Sequence, residues 1–522
     1  MSNHSRILMT SVILCCLVIG GCSEFKKVER EIINTRSFQE LSEENLESIR
    51  ESSPFLKVHM KSGEIYVLGE WWAEPDGESV CGAGVHLSAA RDTLKEGEFH
   101  IGIGQVAVFE TNSLKTSSSV KAIAVFTGIT AAVTTACIIN PKACFGSCPT
   151  FYIQGMDRLR PRAEGFSASI APSLEASDID DLDFSALPGE DFGIEMRNEA
   201  LETHVVRHVD LLAVPRNRAS RALADAEGIF WEAEYLQAPV SARGSEGDCL
   251  ELLAYRDSRE RFSKADSSYL GSKEIIELEF RDLPEENAAL MISCRQTLLS
   301  TYLLYQAYAY MGSEAGAWFA RIARGEINQS EDSIHELLGG IQILIEDSKG
   351  GWKTAGRISE YGPLAVDTHL IHLDEFGSRS QKVRLKMTRG NWRIDRVALA
   401  SLSKRIEPVR IHPHLVIRGK NPDRNSRELL LDSQRVLTTL PGNTYYLRYK
   451  IPSEEVVYDL FVESRGYYLE WIRKEWVEEE NPQYLAQMFL SPERALRRLA
   501  PQYKKVEDKM EYHFWRSRYV KQ

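Results

Sequence analysis

The sequence predicts a mainly β protein of the α+β kind, divided into several domains. Three observations predict it. Short runs of alternating apolar and polar residues recur from Leu56 onward, among them LKVHM, FHIGIGQVAVFE, THVVRHVDLLAVP, IIELEF and QKVRLKMT. Each is bounded by glycine, proline or charge, the pattern of half-buried strands. After residue 152, helix-compatible stretches are few, chiefly a patch near 297–324 and the end of the chain after 475. The 522 residues also exceed what one ordinary core serves, so roughly two to four domains are expected.

Hydrophobic content of 43% and charged content of 26% describe folded protein. With 63 basic and 75 acidic residues the formal charge is −12. No Lys/Arg-rich run with interleaved aromatics interrupts this balance, so a nucleic-acid partner is not expected and an anionic lipid surface would repel the chain.

The N-terminus is informative. Arg6 precedes the apolar run Ile7 to Ile19, too short for a bilayer span and suited to a secretory signal. The run closes on Ile19-Gly20-Gly21-Cys22, which resembles the lipobox of bacterial lipoproteins. That resemblance implies that residues 1–21 are a signal peptide and that Cys22 is the lipidation site. Its acyl chains would form the membrane anchor at about 0.8 kcal/mol per buried methylene. Ser23 resembles the sorting pattern for the outer membrane, facing the periplasm or the exterior. A plain secretory signal or an uncleaved anchor is the alternative.

Residues 22–55, charged and Glu-rich, read as a tether with a partly helical end, and 56–119 as a small β-barrel or sheet module. Residues 120–152 hold an apolar segment and a Cys-rich loop. Ala122 to Ile139 carries no charge and is long enough to span a membrane. A chain anchored through Cys22 is already outside the inner membrane, which favours a buried helix or hairpin. Export permits disulfides. Cys144 and Cys148 straddle Phe-Gly-Ser, and the glycine permits a tight loop, so these two form the candidate disulfide. Their CxxxC spacing fits neither a redox motif nor a zinc knuckle, and neither metal nor cofactor is expected.

From Ser147 the chain resembles a group of uncharacterised bacterial lipoproteins. The resemblance rests on Ser147-Cys148-Pro149 with Tyr152, on Phe166-Ser167-Ala168-Ser169-Ile170, and on Asn198-Glu199 with Glu202-Thr203. It implies a small β-module followed by a long β-rich remainder, and it supplies no catalytic residues.

Residues 153–410 read as a β-sandwich domain with the helical insert near 297–324. Asp178 to Asp183 stacks carboxylates but lacks the glycine of a calcium loop, so a solvated acidic turn is expected. His204 and His208 share a predicted strand face with Asp210, without a third ligand. Tyr302, Tyr305 and Tyr308 read as core. Residues 381–402 resemble the last strands of galactose-binding-like jelly rolls. That resemblance implies Trp392 and Asp395 as candidate ligand-binding residues near a sandwich rim, a structural role for both being the alternative.

Residues 411–475 read as a second small β-unit and 476–522 as C-terminal helices. Leu440-Pro441-Gly442-Asn443 marks a turn, and Ser491-Pro492 a helix start. No GxSxG elbow, HExxH, Walker loop or GxGxxG occurs, so catalytic residues are unknown and a non-catalytic role is favoured. The expected function is a lipid-anchored cell-envelope component presenting β-sandwich surfaces to a glycan or protein partner. The alternative is a glycan-active hydrolase with a carboxylate pair.

Overall fold

The computed structural model describes residues 26–52, 55–60, 64–87, 93–116, 148–155, 159–200, 202–281, 287–312, 315, 318, 337–346, 350–359, 362–373, 381–454, 456–470 and 479–516. Across them the alternating runs become antiparallel strands, and the protein is mainly β. The described residues fall into two units, one up to residue 116 and one from residue 148. Cys22, Ala122 to Ile139 and Cys144 lie outside the described residues, and with them the expected lipidation site, the apolar segment and the partner expected for Cys148.

The first unit is one six-stranded sheet in the order Lys26–Asn34, Val106–Thr116, Leu56–Met60, Ile65–Ala73, Ser79–Leu87, Thr93–Gly102. Leu56, Val58, Leu68, Val80 and Phe109 are withdrawn from water on one face. Phe38 stacks on Phe109 at 3.9 Å, and Leu46 and Ile49 of the helix Glu43–Ser52 pack on the same core. Part of the expected tether is therefore integral to the sheet. Its strand was hidden by charge, which suits an edge position because charged side chains discourage pairing with a further strand.

In the second unit, four sheets are arranged as two sandwiches. The first sandwich joins a sheet containing Asp191–Arg197, Thr150–Gln154 and Thr444–Lys450 to one containing Glu202–Arg216, Val457–Glu470 and Ala176–Ala186. Phe151, Ile194, Val209, Leu447 and Val462 form their common core. The second sandwich joins a sheet with Trp392–Ile406 and Ala288–Gln296 to one with Lys273–Phe280, Gln381–Thr388 and Ile341–Glu346, around Ile276, Leu290, Ile343 and Leu385. Phe230 and Ile406 of the second sandwich pack on Leu212, Val214 and Phe461 of the first, setting the two back to back.

Residues 411–475 do not form a unit of their own. Leu211 pairs with Val462 and Ile194 with Leu447, so these late strands complete sheets begun before residue 216. Pairing partners so far apart leave no local trace, because strand pattern specifies a buried face and not a neighbour.

The helix Leu298–Met311, capped by Thr297 Oγ1 accepting from the Leu299 N–H at 3.1 Å, packs with the helices Pro482–Leu490, Pro492–Lys504 and Glu507–Arg516. Tyr302, Tyr305 and Tyr308 are buried in that helical core, as the sequence predicts. Gly442 takes φ +84° with the Asn443 N–H donating to Leu440 O at 2.9 Å, the conformation expected after Pro441. Ser491 is the residue before Pro492 in the Pro492–Lys504 helix, but its side chain makes no capping bond. The acidic run is a strand, Ala176–Ala186, and not a solvated turn. Asp180 and Asp181 are buried, Asp181 accepting from Arg256 Nη1 at 3.1 Å.

Candidate functional site

A groove of about 590 Å³ opens on the first sandwich, and its charged lining comes from three neighbouring strands and two loops. The strand Glu202–Arg216 carries a β-bulge between Val206 and His208 against Val457–Glu470. The extra residue keeps Val206 and Val209 in the same apolar cluster, so the residues between them change face. His204 is therefore buried beside Glu202, its Nε2 3.1 Å from Glu202 Oε2, while His208 and Asp210 line the groove. The bulge separates side chains that unbroken alternation would have kept together.

Asp210 is only 2% exposed, and an isolated charge at that depth would be costly. It is held by two partners from the strand Val409–Ile411 and its continuation. His412 Nδ1 lies 2.7 Å from Asp210 Oδ1, and Arg410 Nη1 donates to Asp210 Oδ2 at 3.0 Å. Arg410 also pairs with Glu463, which stands directly opposite Asp210 in the strand register. His208 Nε2 is 3.6 Å from that same glutamate. Burial alone would raise the Glu463 carboxyl, but His208 and Arg410 outweigh it and hold it below the usual range. Further along, Glu175 receives both Arg207 Nε, at 3.1 to 3.2 Å, and Arg465 Nε, at 2.8 Å.

The groove is thus a mosaic of three arginines, two histidines and two carboxylates, Glu175 and Asp210, with Glu463 behind Arg410, Leu430 and Leu431 on one wall, and no Phe, Tyr or Trp in its lining. Because Nδ1 of His412 faces Asp210, its Nε2 is the nitrogen left to a ligand, and the ring is 59% exposed. Planar guanidinium and carboxylate groups fixed side by side offer paired donors and acceptors to vicinal hydroxyls.

The residues singled out from sequence lie elsewhere. Trp392 is 1% exposed in the core of the second sandwich. Asp395 is the extra residue of a β-bulge, since Cys294 pairs with Ile394 and Ser293 with Arg396. Its Oδ1 accepts from the backbone N–H groups of Asp257, at 3.3 Å, and Ser258, at 3.0 Å, where Ser258 has φ +66°. Neither side chain presents itself to solvent. Cys148 is a buried free thiol, as are Cys249 and Cys294. The histidines of the 369/372 and 412/414 pairs each face a carboxylate, His369 Nδ1 at 3.7 Å from Asp367 and His372 Nε2 at 3.3 Å from Asp225.

The short motifs converge on one buried network. The Tyr152 hydroxyl donates to Glu199 Oε2 at 2.7 Å, with the Arg197 guanidinium 4.5 Å above the tyrosine ring. Asn198 Nδ2 donates to the carbonyls of Glu202 and Thr439 at 3.0 and 3.1 Å. The Tyr468 hydroxyl donates to Ser167 O at 3.2 Å, and its N–H to Ser169 O at 2.9 Å. Glu199, Glu202 and His204 are fully buried, so these residues fix the sandwich from within.

Polar residues at i and i+2 on otherwise apolar strands, 208/210 and 410/412, were the only sequence signal of the groove. No family model matches the chain, and no curated protein matches it. Among solved structures, the secreted serine protease VesC from Vibrio cholerae is similar at 9% identity over 72% of this chain and 76% of that one, with a TM-score of 0.15. A likeness at that level carries no argument about fold or activity.

Proposed function

We propose that this is a lipid-anchored cell-envelope protein, tethered through Cys22, whose Asp210–Arg410–Glu463 groove binds a hydroxyl-rich glycan without turning it over. The observation that carries the reading is the bridging of two cross-strand carboxylates by one guanidinium. Asp210 and Glu463 are opposite residues of the sheet, and Arg410 engages both. A glycosidase needs one carboxyl kept protonated as acid. Glu463 is instead held towards its ionised form, which suits acceptance of hydroxyl donors.

The second reading, a glycan-active hydrolase, has one specific observation in its favour. Asp210 and Glu463 are directly opposed across the strand pair, with Cβ atoms about 5 Å apart, and a retaining hydrolase needs two such neighbouring carboxyl groups. Screening a glycan array and then titrating hits calorimetrically separates the two. Binding that weakens at least about tenfold in His412→Ala and Asp210→Asn, without release of reducing ends, supports the binding role. Turnover lost in Asp210→Asn supports the hydrolase, and an array with no hit overturns both.

A further inference from the structure

Three metal-ligating side chains meet on the outer face of the first sheet, brought together by strand register and by no sequence spacing. Cys81, in the strand Ser79–Leu87, stands opposite His100 of Thr93–Gly102 on one side and Trp72 of Ile65–Ala73 on the other. Its neighbours Val80 and Ile101 point into the core, which places Cys81 and His100 on the opposite face. Glu74 follows directly on the strand Ile65–Ala73, its N–H donating to Ser79 O at 2.9 Å to close the hairpin. Cys81 Sγ lies 3.0 Å from His100 Nδ1 and 3.2 Å from Glu74 Oε1. One ligand atom from each residue lies within 4.8 Å of the others, and among the described residues no other group of three or more His, Cys, Asp or Glu is so disposed.

We propose that Glu74, Cys81 and His100 form a zinc site with its fourth position open to solvent. Calcium and magnesium require oxygen donors, whereas a thiolate, an imidazole and a carboxylate together suit Zn²⁺. Zinc–ligand distances of about 2.0 to 2.3 Å at tetrahedral angles place ligand atoms about 3.5 Å apart, so the two Cys81 contacts need to open by about half an ångström or less. The ends that must move are free to do so: His100 is exposed and Glu74 half-buried, while Cys81, 6% exposed, sits at the base. Trp72 Nε1 donates to Glu74 Oε1 at 3.4 Å and orients that carboxylate from outside the ligand set. Binding replaces the Cys81 S–H bond with an S–Zn bond and releases the thiol proton to solvent. The ion would staple the Ile65–Ala73/Ser79–Leu87 hairpin to its third strand, a role independent of the groove on the other unit.

The test uses the full-length chain in detergent, without a histidine tag and stripped with chelator. Cobalt titration reads the thiolate-to-metal charge-transfer absorption, and zinc competition against a chromophoric chelator reads affinity. One equivalent should bind the wild type and raise its Tm. Glu74→Gln and His100→Ala should each weaken binding by about tenfold or more, and Cys81→Ser should abolish the charge-transfer band. His100→Ala changes an exposed side chain, so it keeps the test decisive should Cys81→Ser misfold. A wild type without the band overturns the proposal. So does a band of equal strength in Cys81→Ser, which would place the thiolate elsewhere in the chain, and so does an unchanged affinity in His100→Ala.

Discussion

Replacing Asp367 by asparagine should make the protein more stable at alkaline pH than the wild type, by an amount the structure sets. Asp367 is 8% exposed, and its Oδ1 accepts from the Asp181 N–H at 3.2 Å. Burial, aided by the Asp181 and Asp178 carboxylates, pushes its carboxyl up to about 7 from 3.8. His369 Nδ1, 3.7 Å away, gives no compensating charge near neutrality because burial pushes it down to about 4. Arg256 is nearby but committed to Asp181 and Thr368. A carboxyl with a raised folded value stabilises the fold fully below its unfolded value of 3.8, and the contribution disappears as pH climbs through 7. The shift corresponds to about 4 kcal/mol in acid, of which about 3 kcal/mol remains at pH 5 and almost none at pH 8. Asparagine keeps the acceptor and cannot ionise. Urea unfolding followed by tryptophan fluorescence should therefore show Asp367→Asn gaining about 3 kcal/mol on the wild type between those two pH values. A difference that stays constant with pH would refute the reasoning.

Tyr152→Phe removes a buried hydroxyl that donates to Glu199, and should cost about 1.5–3 kcal/mol in the same unfolding assay. Gly442→Ala meets no atom within 4 Å but must adopt φ +84°, so a loss of about 1 kcal/mol is expected. Gly466→Ala would place its Cβ 2.2 Å from the backbone oxygen of Val205, which cannot swing aside, and should cost about 3 kcal/mol or more in the same assay. Burial pushes the Cys294 thiol well above its ordinary value and the Cys249 thiol up to about 11. Peptide mapping after iodoacetamide treatment should find both unlabelled in the native protein and labelled in urea.

Fold class was legible because alternation is a local property. Leu56, Val58 and Met60 turn inward together, as do Ile341, Ile343 and Ile345. The helical patch at 298–311 was equally plain from its aromatic-rich, helix-compatible run. Partnership was not legible: nothing in NTYYLRYK says that it lies beside Asp191–Arg197. The charged strand Lys26–Asn34 was misread because it lies at a sheet edge, and the acidic strand Ala176–Ala186 because polarity signals exposure only when no counter-charge waits across the interface. Asp181 finds Arg256 there, and Asp183 finds Arg162 at 3.1 Å. The groove escaped because one bulged residue, Arg207, inverts the facing of the strand midway. Trp392 and Asp395, chosen for a rim, lie where a sandwich needs filler and a bulge needs a clasp.

The long-range pairing of Glu202–Arg216 with Val457–Glu470 sets an order on biosynthesis. Once residue 406 has left the ribosome, the second sandwich has all its strands and can fold as an insert. The first sandwich at that moment is a half-shell, with Glu202–Arg216 lacking its central neighbour and offering an unsatisfied edge. Closure waits for the final tenth or so of the chain, so a premature stop near residue 450 would release a nascent product prone to association and dependent on chaperone capture.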